Sequence, residues 1–415
     1  MSQAPPVDAG GASRYRWRIL TSALLVQVTI SIVTQGLPAL APFAKIDLGL
    51  SPAQVGLFAT ILNLGTMFAL LPAGWAVDVL GEHRVLLVGG VCTGILTIVA
   101  SLAPSFATLL PLLILVGIAA ATPTPAGSTA IMSAFTLKDR GFVMSVRQTG
   151  IPIGGALAAL MLPPIAFAAG WRRALVVAAV LTIAGAVVGR LIVRGAPRHR
   201  NDLSGQRGRL REVMTRDATY VGIAAIFLTL GQFVLATYIA LYLLDSFHMR
   251  IAVGSLFLVA TNVGGVFGRM AWGRISDRVF GGRRTTPLMV VSVSAALCFV
   301  LLAWLPMGTP AAVLLILVML LGATVIGWNG LYITLLSEIA PVDKRGRTVA
   351  YGMTISQVGI FGGPFAFGLL VEITHSYRVS WTVVAASLLL TVALLRQVKE
   401  RQRVPLPVAN QGVPA

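Results

Sequence analysis

Ala59-Thr60-Ile61-Leu62-Asn63-Leu64-Gly65 and Leu258-Val259-Ala260-Thr261-Asn262-Val263-Gly264 decide how this chain is built. Asn63 matches Asn262, Gly65 matches Gly264, Phe68 matches Phe267, Gly74 matches Gly273 and Asp78 matches Asp277, all at an offset of 199. A second block relates Gly117 to Gly322 and Arg140-Gly141 to Arg345-Gly346 at an offset of 205. The change of offset reads as a few residues inserted between two copies of one ancestral half. A period of this length is duplication of a whole half, since solenoid repeats recur every 20 to 50 residues.

Around these blocks the chain is too apolar for water. Of 415 residues 56% are hydrophobic and 11% charged, a balance that polar surface on a soluble fold of this size could not cover. Spans of about 20 apolar residues are expected, and twelve are predicted: 17–40, 52–77, 85–102, 106–135, 142–168, 171–193, 218–246, 251–272, 287–305, 311–336, 348–372 and 381–396. Ser51-Pro52 marks one start, a capping side chain followed by proline in the first turn. The predicted fold class is all-α integral membrane, two pseudo-symmetric six-helix bundles. They occupy 17–194 and 218–396, with an N-terminal tail at 1–16, a linker at 195–217 and a C-terminal tail at 397–415.

The net charge of +18 reports topology rather than nucleic acid as a partner. Lys45, Arg172, Arg173, Arg250 and Arg378 fall on one side, Arg147 and Arg269 fall inside spans, and the rest of the 32 Lys and Arg fall on the opposite side. The crowded side is expected to be cytoplasmic and to hold both termini. The basic linker, with Arg198, Arg200, Arg207, Arg209, Arg211 and Arg216, then meets anionic headgroups of the bilayer. The polar stretch before the first span is not expected to be a secretory signal. Cys92 and Cys298 both lie in apolar segments and read as packing residues, not a disulfide or metal pair. Gly362-Gly363-Pro364 is a bending and packing device, since a phosphate loop needs a preceding strand and a following Lys-Ser/Thr. No cofactor or metal is expected.

Gly74-Trp75-Ala76-Val77-Asp78-Val79-Leu80-Gly81-Glu82-His83-Arg84 resembles the signature that follows the second span in the major facilitator superfamily, and Gly273 to Arg284 (GRISDRVFGGRR) resembles its copy after the eighth. The resemblance implies alternating-access secondary transport of a small molecule, as a monomer in the bacterial inner membrane, with a coupling proton or counter-substrate as a further partner. It implies an inner latch built from Gly74, Asp78, Gly81 and Arg84 in the first half and Gly273, Asp277, Arg278 and Arg283 in the second. Val79 and Glu82 depart from the family's usual basic residues, which implies that the first latch is the weaker.

Ionisable side chains inside spans are costly and face a partner or a water-filled path. Arg269, eight residues before Asp277, stands where oxalate/formate and monocarboxylate members of the family carry an arginine, and the resemblance implies a carboxylate contact. A guanidinium fork matches a carboxylate at two points. Arg147 lies at similar depth in the other half. His83, His199, His248 and His375, with Asp245, Glu338 and Glu372, lie in connections or near span ends, so no buried proton relay is read. Helical spacing sets Gln27, Ser31, Thr34 and Gln35 on one face of the first span and Tyr238 with Tyr242 on one face of the seventh. The expected substrate-binding set is Arg269, Arg147, Gln35, Asn63, Tyr238, Asn262, Trp328, Asn329 and Gln357, with Gln232 a further candidate. Thr122-Pro123-Thr124-Pro125 predicts a kink in the fourth span.

The functional expectation is transport of a small organic anion, a carboxylate foremost. Export of a neutral or lipophilic compound is the alternative, although span four lacks the arginine of proton-linked drug exporters. A transporter-like receptor is the third reading. No nucleophile-base pair at a shared depth supports an enzyme.

Overall fold

The computed structural model describes residues 9–135, 140–193, 214–306, 308–340 and 345–400. The expected linker and both expected tails lie largely outside the described residues. Among those residues every regular element is a helix, and twelve are long and apolar enough to cross a bilayer. Spans one to six run Tyr15–Leu48, Pro52–Leu70, Glu82–Ser101, Phe106–Ile131, Val146–Ala169 and Trp171–Ile192. Spans seven to twelve run Arg216–Phe247, Val253–Arg278, Thr285–Trp304, Ala311–Ile339, Thr348–Thr374 and Tyr377–Leu395. Side chains facing outward are themselves apolar, Phe167 and Leu297 among them, as a surface against lipid tails requires.

The sequence repeat is a contact repeated in space. A methyl on Gly65 would meet Ile114 O and one on Gly117 would meet Leu62 O; in the second half Gly264 stands against Met319 O and Gly322 against Thr261 O. The two blocks that match at different offsets are therefore partners of each other, spans two and four in one half and eight and ten in the other. Only glycine lets these backbones come so close. Hydroxyls tie other spans together: Thr182 Oγ1 donates to Thr29 O, Thr66 Oγ1 to Gly117 O, and Thr229 Oγ1 to Ser356 O.

Among the described residues four spans are broken. The kink predicted at Pro123 is present as an interruption at Ala121 and Thr122 between Phe106–Ala120 and Pro123–Ala134. Its counterpart in span ten lies at Ile326 to Trp328, between Ala311–Val325 and Asn329–Ile339. Span one breaks at Gln35 and runs on to Leu48, eight residues past the predicted end, because Gly36–Leu48 continues as a second half-helix. Span five breaks at Thr149, directly after Arg140–Gln148. Such breaks free backbone carbonyls, which is tolerated in a bilayer where they are buried in protein or line a cavity.

At one end of the bundle, the Lys45 end, the two halves are fastened. Lys45 Nζ pairs with Asp245 at 3.0 Å, and Tyr377 Oη donates to the same carboxylate at 2.9 Å. Tyr238 Oη lies 2.6 Å from Pro52 O and 3.0 Å from Pro364 O, joining span seven to spans two and eleven. Gly56 abuts Pro364 O and Gly368 abuts Pro52 O, a reciprocal crossing of the two halves. Thr60 Oγ1 reaches Phe361 O one turn further in.

At the opposite, Arg284 end, the expected latches differ from each other. In the second half Asp277 pairs with Arg284 at 2.7 Å, and Arg284 also faces Glu338 at 3.6 Å. Sequence matching favours Arg283, which instead is exposed. The reason is the turn at Gly281-Gly282, where both residues have positive φ (59° and 80°), swinging Arg284 inward. Arg278 is exposed, and a side chain at Gly273 would meet nothing, so neither makes a close contact here. In the first half Gly81 (φ 83°) makes the turn between spans two and three, Gly74 faces open space and Arg84 is exposed. The side chain of Asp78 lies outside what is described.

Candidate functional site

A small cavity lies between the halves, lined by Gln35 and by Ile151 and Pro152 at the start of helix Gly150–Ala169 on one side, and by Gln232, Leu258, Asn262, Arg269 and Ile326 on the other. Two of these positions are helix breaks. Gln35 is the joint of span one, and Ile326 is where span ten opens. Cavity and breaks coincide because a free carbonyl in hydrocarbon needs a polar partner.

Arg269 is organised by that rule. Its Nε donates to Ile326 O at 3.2 Å, and its Nη1 donates across the interface to Gln148 O at 2.9 Å, the last residue before the break in span five. Both acceptors are neutral, and no ion pair forms at Arg269 among the described residues. Its Nη2 has no partner among them and is not sealed off. A cation held by dipoles at the wall of a cavity, with donor capacity left over, can bind an anion.

Gln232 and Asn262 are also fixed. Asn329 Nδ2 donates to Ile326 O at 3.3 Å and to Gln232 Oε1 at 3.2 Å. Asn262 Nδ2 donates to Leu258 O at 2.9 Å, one turn back on its own helix. The cavity wall is thus one network: the Ile326 carbonyl receives Arg269 and Asn329, and Asn329 sets Gln232.

Of the expected substrate residues, Gln35, Asn262 and Arg269 line this cavity, and Asn329 reaches it through Gln232. Asn63 and Gln357 are half-buried and lie outside it. Tyr238 is 0% exposed with its hydroxyl between two backbone carbonyls across the interface, and Trp328 is buried with Nε1 on Val325 O. Both are engaged in packing here, since a side chain at the right helical angle is turned from the path once a neighbouring backbone takes its polar atom. Arg147 is 1% exposed and boxed in behind the wall. Its Nη1 donates to Gln27 Oε1 and Pro123 O, and its Nη2 to Ser128 Oγ and Gln148 Oε1, while Nε is buried without a partner. Gln148 thereby touches both arginines, with its side chain on Arg147 and its carbonyl on Arg269. Sequence reasoning misses Gln148 and Ile326, which act through backbone oxygen and carry no residue signature. It also misses Phe233, Ala236 and Thr261, apolar or small neighbours of the chosen polar positions.

A duplicated twelve-span bundle with a central cavity at its helix breaks defines a membrane transporter of the secondary type. The family model described as Major Facilitator Superfamily matches residues 23–364 and 222–412, and the chain belongs to that superfamily. It is 26% identical to an uncharacterized MFS-type transporter of Mycobacterium tuberculosis over 92% of this chain and 84% of that one. It is 24% identical to a probable sulfoacetate transporter of Cupriavidus necator over 84% of this chain and 85% of that one. In fold it is similar to a bacterial homolog of the human lysosomal transporter Spinster in an inward-facing, occupied conformation. The TM-score is 0.76 at 16% identity, covering 92% of this chain and 97% of the other.

Proposed function

We propose that this protein moves a small organic anion, a carboxylate foremost, across the bacterial inner membrane by alternating access. The observation that carries the reading is Arg269, a cavity-lining cation whose partners are two neutral carbonyls and which keeps Nη2 for a ligand. An uncompensated cation at this depth is expensive, and a carboxylate neutralises it at two points. The similarity to a probable sulfoacetate transporter supports the same class of cargo.

In this reading the bundles 17–194 and 218–396 rock about the cavity, joined by a cytoplasmic linker, with both termini cytoplasmic and the monomer as the working unit. Lys45–Asp245 and Tyr238 hold the outer side shut, while Asp277, Arg284 and the matching first-half residues Gly74, Asp78, Gly81 and Arg84 serve the inner side. Arg147 sits behind Gln148 as a second cation that the rocking motion brings toward the anion. A proton or a counter-substrate completes the cycle.

The test is flux into proteoliposomes, with radiolabelled benzoate and sulfoacetate as probes and the Arg269→Gln variant in parallel. Saturable anion uptake that falls at least tenfold in the variant, as loss of a charged hydrogen bond implies, supports the proposal. Uptake only of neutral lipophiles, unchanged by Arg269→Gln, sinks it.

A further inference from the structure

The direction of each amide in the cavity is set by the protein, and the pattern names the cargo more closely. Ile326 O can only accept, so the Asn329 group 3.3 Å away is its NH2. That same Nδ2 lies 3.2 Å from the Gln232 amide, so Gln232 must present its oxygen there, which leaves Nε2 to the cavity as a donor. Leu258 O likewise captures the NH2 of Asn262, which leaves Oδ1 without a partner among the described residues and not sealed off. Asn262 therefore keeps Oδ1 as a free acceptor, with one N–H of its NH2 spent on Leu258 O and the other still a donor. The Gln35 amide, also on the cavity wall, can serve either way.

Arg269 and Asn329 both donate to Ile326 O, and Asn329 in turn holds Gln232, so Arg269 Nη2 and Gln232 Nε2 are the free donors of one network. Asn262 lies seven residues before Arg269 on the same face of span eight, roughly 10 Å along the axis from backbone to backbone, and the arginine side chain leans back toward it. The rest of the lining is mostly apolar, with Ile151, Pro152, Phe233, Ala236 and Leu258 beside Thr261. Among the described residues one cation reaches this space, since Arg147 is enclosed by Gln27, Pro123 O, Ser128 and Gln148.

We infer that the cargo is a carboxylate that also carries a hydroxyl on an apolar body. The inference rests on the anion reading. The carboxylate takes Arg269 Nη2 and Gln232 Nε2, the body lies against Phe233 and Leu258, and the hydroxyl donates to Asn262 Oδ1. A plain acid would leave that acceptor facing an apolar body.

Isothermal titration of the purified full chain with two matched pairs, 4-hydroxybenzoate against benzoate and 6-hydroxyhexanoate against hexanoate, tests this. The hydroxylated member of at least one pair is expected to bind about tenfold tighter, the effect of one hydrogen bond to an otherwise unpaired acceptor. The ratio of affinities within that pair should fall to about one in Asn262→Leu; Asn262→Ala, which removes the acceptor, serves if the leucine variant does not fold. Equal affinity within both pairs in the wild type, or an advantage that survives either variant, overturns the inference and leaves the anion reading standing. Failure of all four acids to bind, or binding indifferent to Arg269→Gln, is the different result that removes the anion reading as well.

Discussion

Replacing Tyr238 by Phe removes one oxygen atom from the interface between the halves. That hydroxyl is fully buried and 2.6 Å from Pro52 O, with Pro364 O as its second acceptor at 3.0 Å. Its one proton is shared between them, so one neutral hydrogen bond is lost, about 1 kcal/mol. Both carbonyls lie in helices and can accept from the amide four residues on, so no further penalty for a stranded acceptor arises. The bond to Pro52 crosses the halves and exists only while the Lys45 end is shut, so its loss acts on the balance between shut and open. About 1 kcal/mol is roughly a fivefold shift toward the open form. Spin labels on Ile46→Cys and Arg250→Cys, both exposed on opposite halves at that end, would report it by double electron–electron resonance. A longer-distance population should grow roughly fivefold relative to the shut one, and more when Lys45→Ala is added, since Lys45–Asp245 spans the same gap. An unchanged distance distribution in both variants would refute the assignment of Tyr238 as a lock.

The glycine contacts predict matched losses in the two halves. Gly117→Ala and Gly322→Ala each drive a methyl into a backbone carbonyl that cannot turn aside, so each should lower the melting temperature by about 1–3 °C; two wild-type melting curves would contradict the repeated-contact account. At the Arg284 end, Glu400 accepts from Arg284 N (2.6 Å), Thr285 N (3.3 Å) and Thr285 Oγ1 (2.7 Å), capping the start of span nine from far along the chain. Glu400→Ala should cost about 1 kcal/mol, as loss of a helix cap does, and hydrogen exchange should quicken at the first amides of span nine; unchanged exchange there would show that the cap carries no weight.

Legible in the residues is whatever repeats or carries a cost in lipid. The twelve spans, the duplication, the break near Pro123 and the isolation of Arg269 all follow from apolar length, offset and the expense of a buried cation. Positions settled by a neighbour's backbone are not legible in this way. Tyr238 and Asn262 are both polar groups on helix faces, yet Pro52 O and Pro364 O take the hydroxyl of the first, and the second keeps a free oxygen in the cavity. Arg283 and Arg284 are adjacent and chemically identical, and the turn at Gly281-Gly282 alone decides which meets Asp277. The break at Gln35 is followed by Gly36 and Pro38, whose missing N–H leaves Thr34 O without its helix partner, but a count of apolar length passes over that signal and ends span one at residue 40 rather than at Leu48.

The central claim, that Arg269 receives an anionic cargo, is tested most directly by thermal stabilisation of the purified protein. A ligand that binds only the folded state raises its apparent stability, by about 2.7 kcal/mol at a hundred times its dissociation constant. The screen would set small mono- and dicarboxylates beside neutral and cationic lipophiles, with Arg269→Gln alongside. The account predicts a melting-temperature rise with a carboxylate in the wild type and none in the variant. A rise produced only by lipophiles, equal in both proteins, would contradict it.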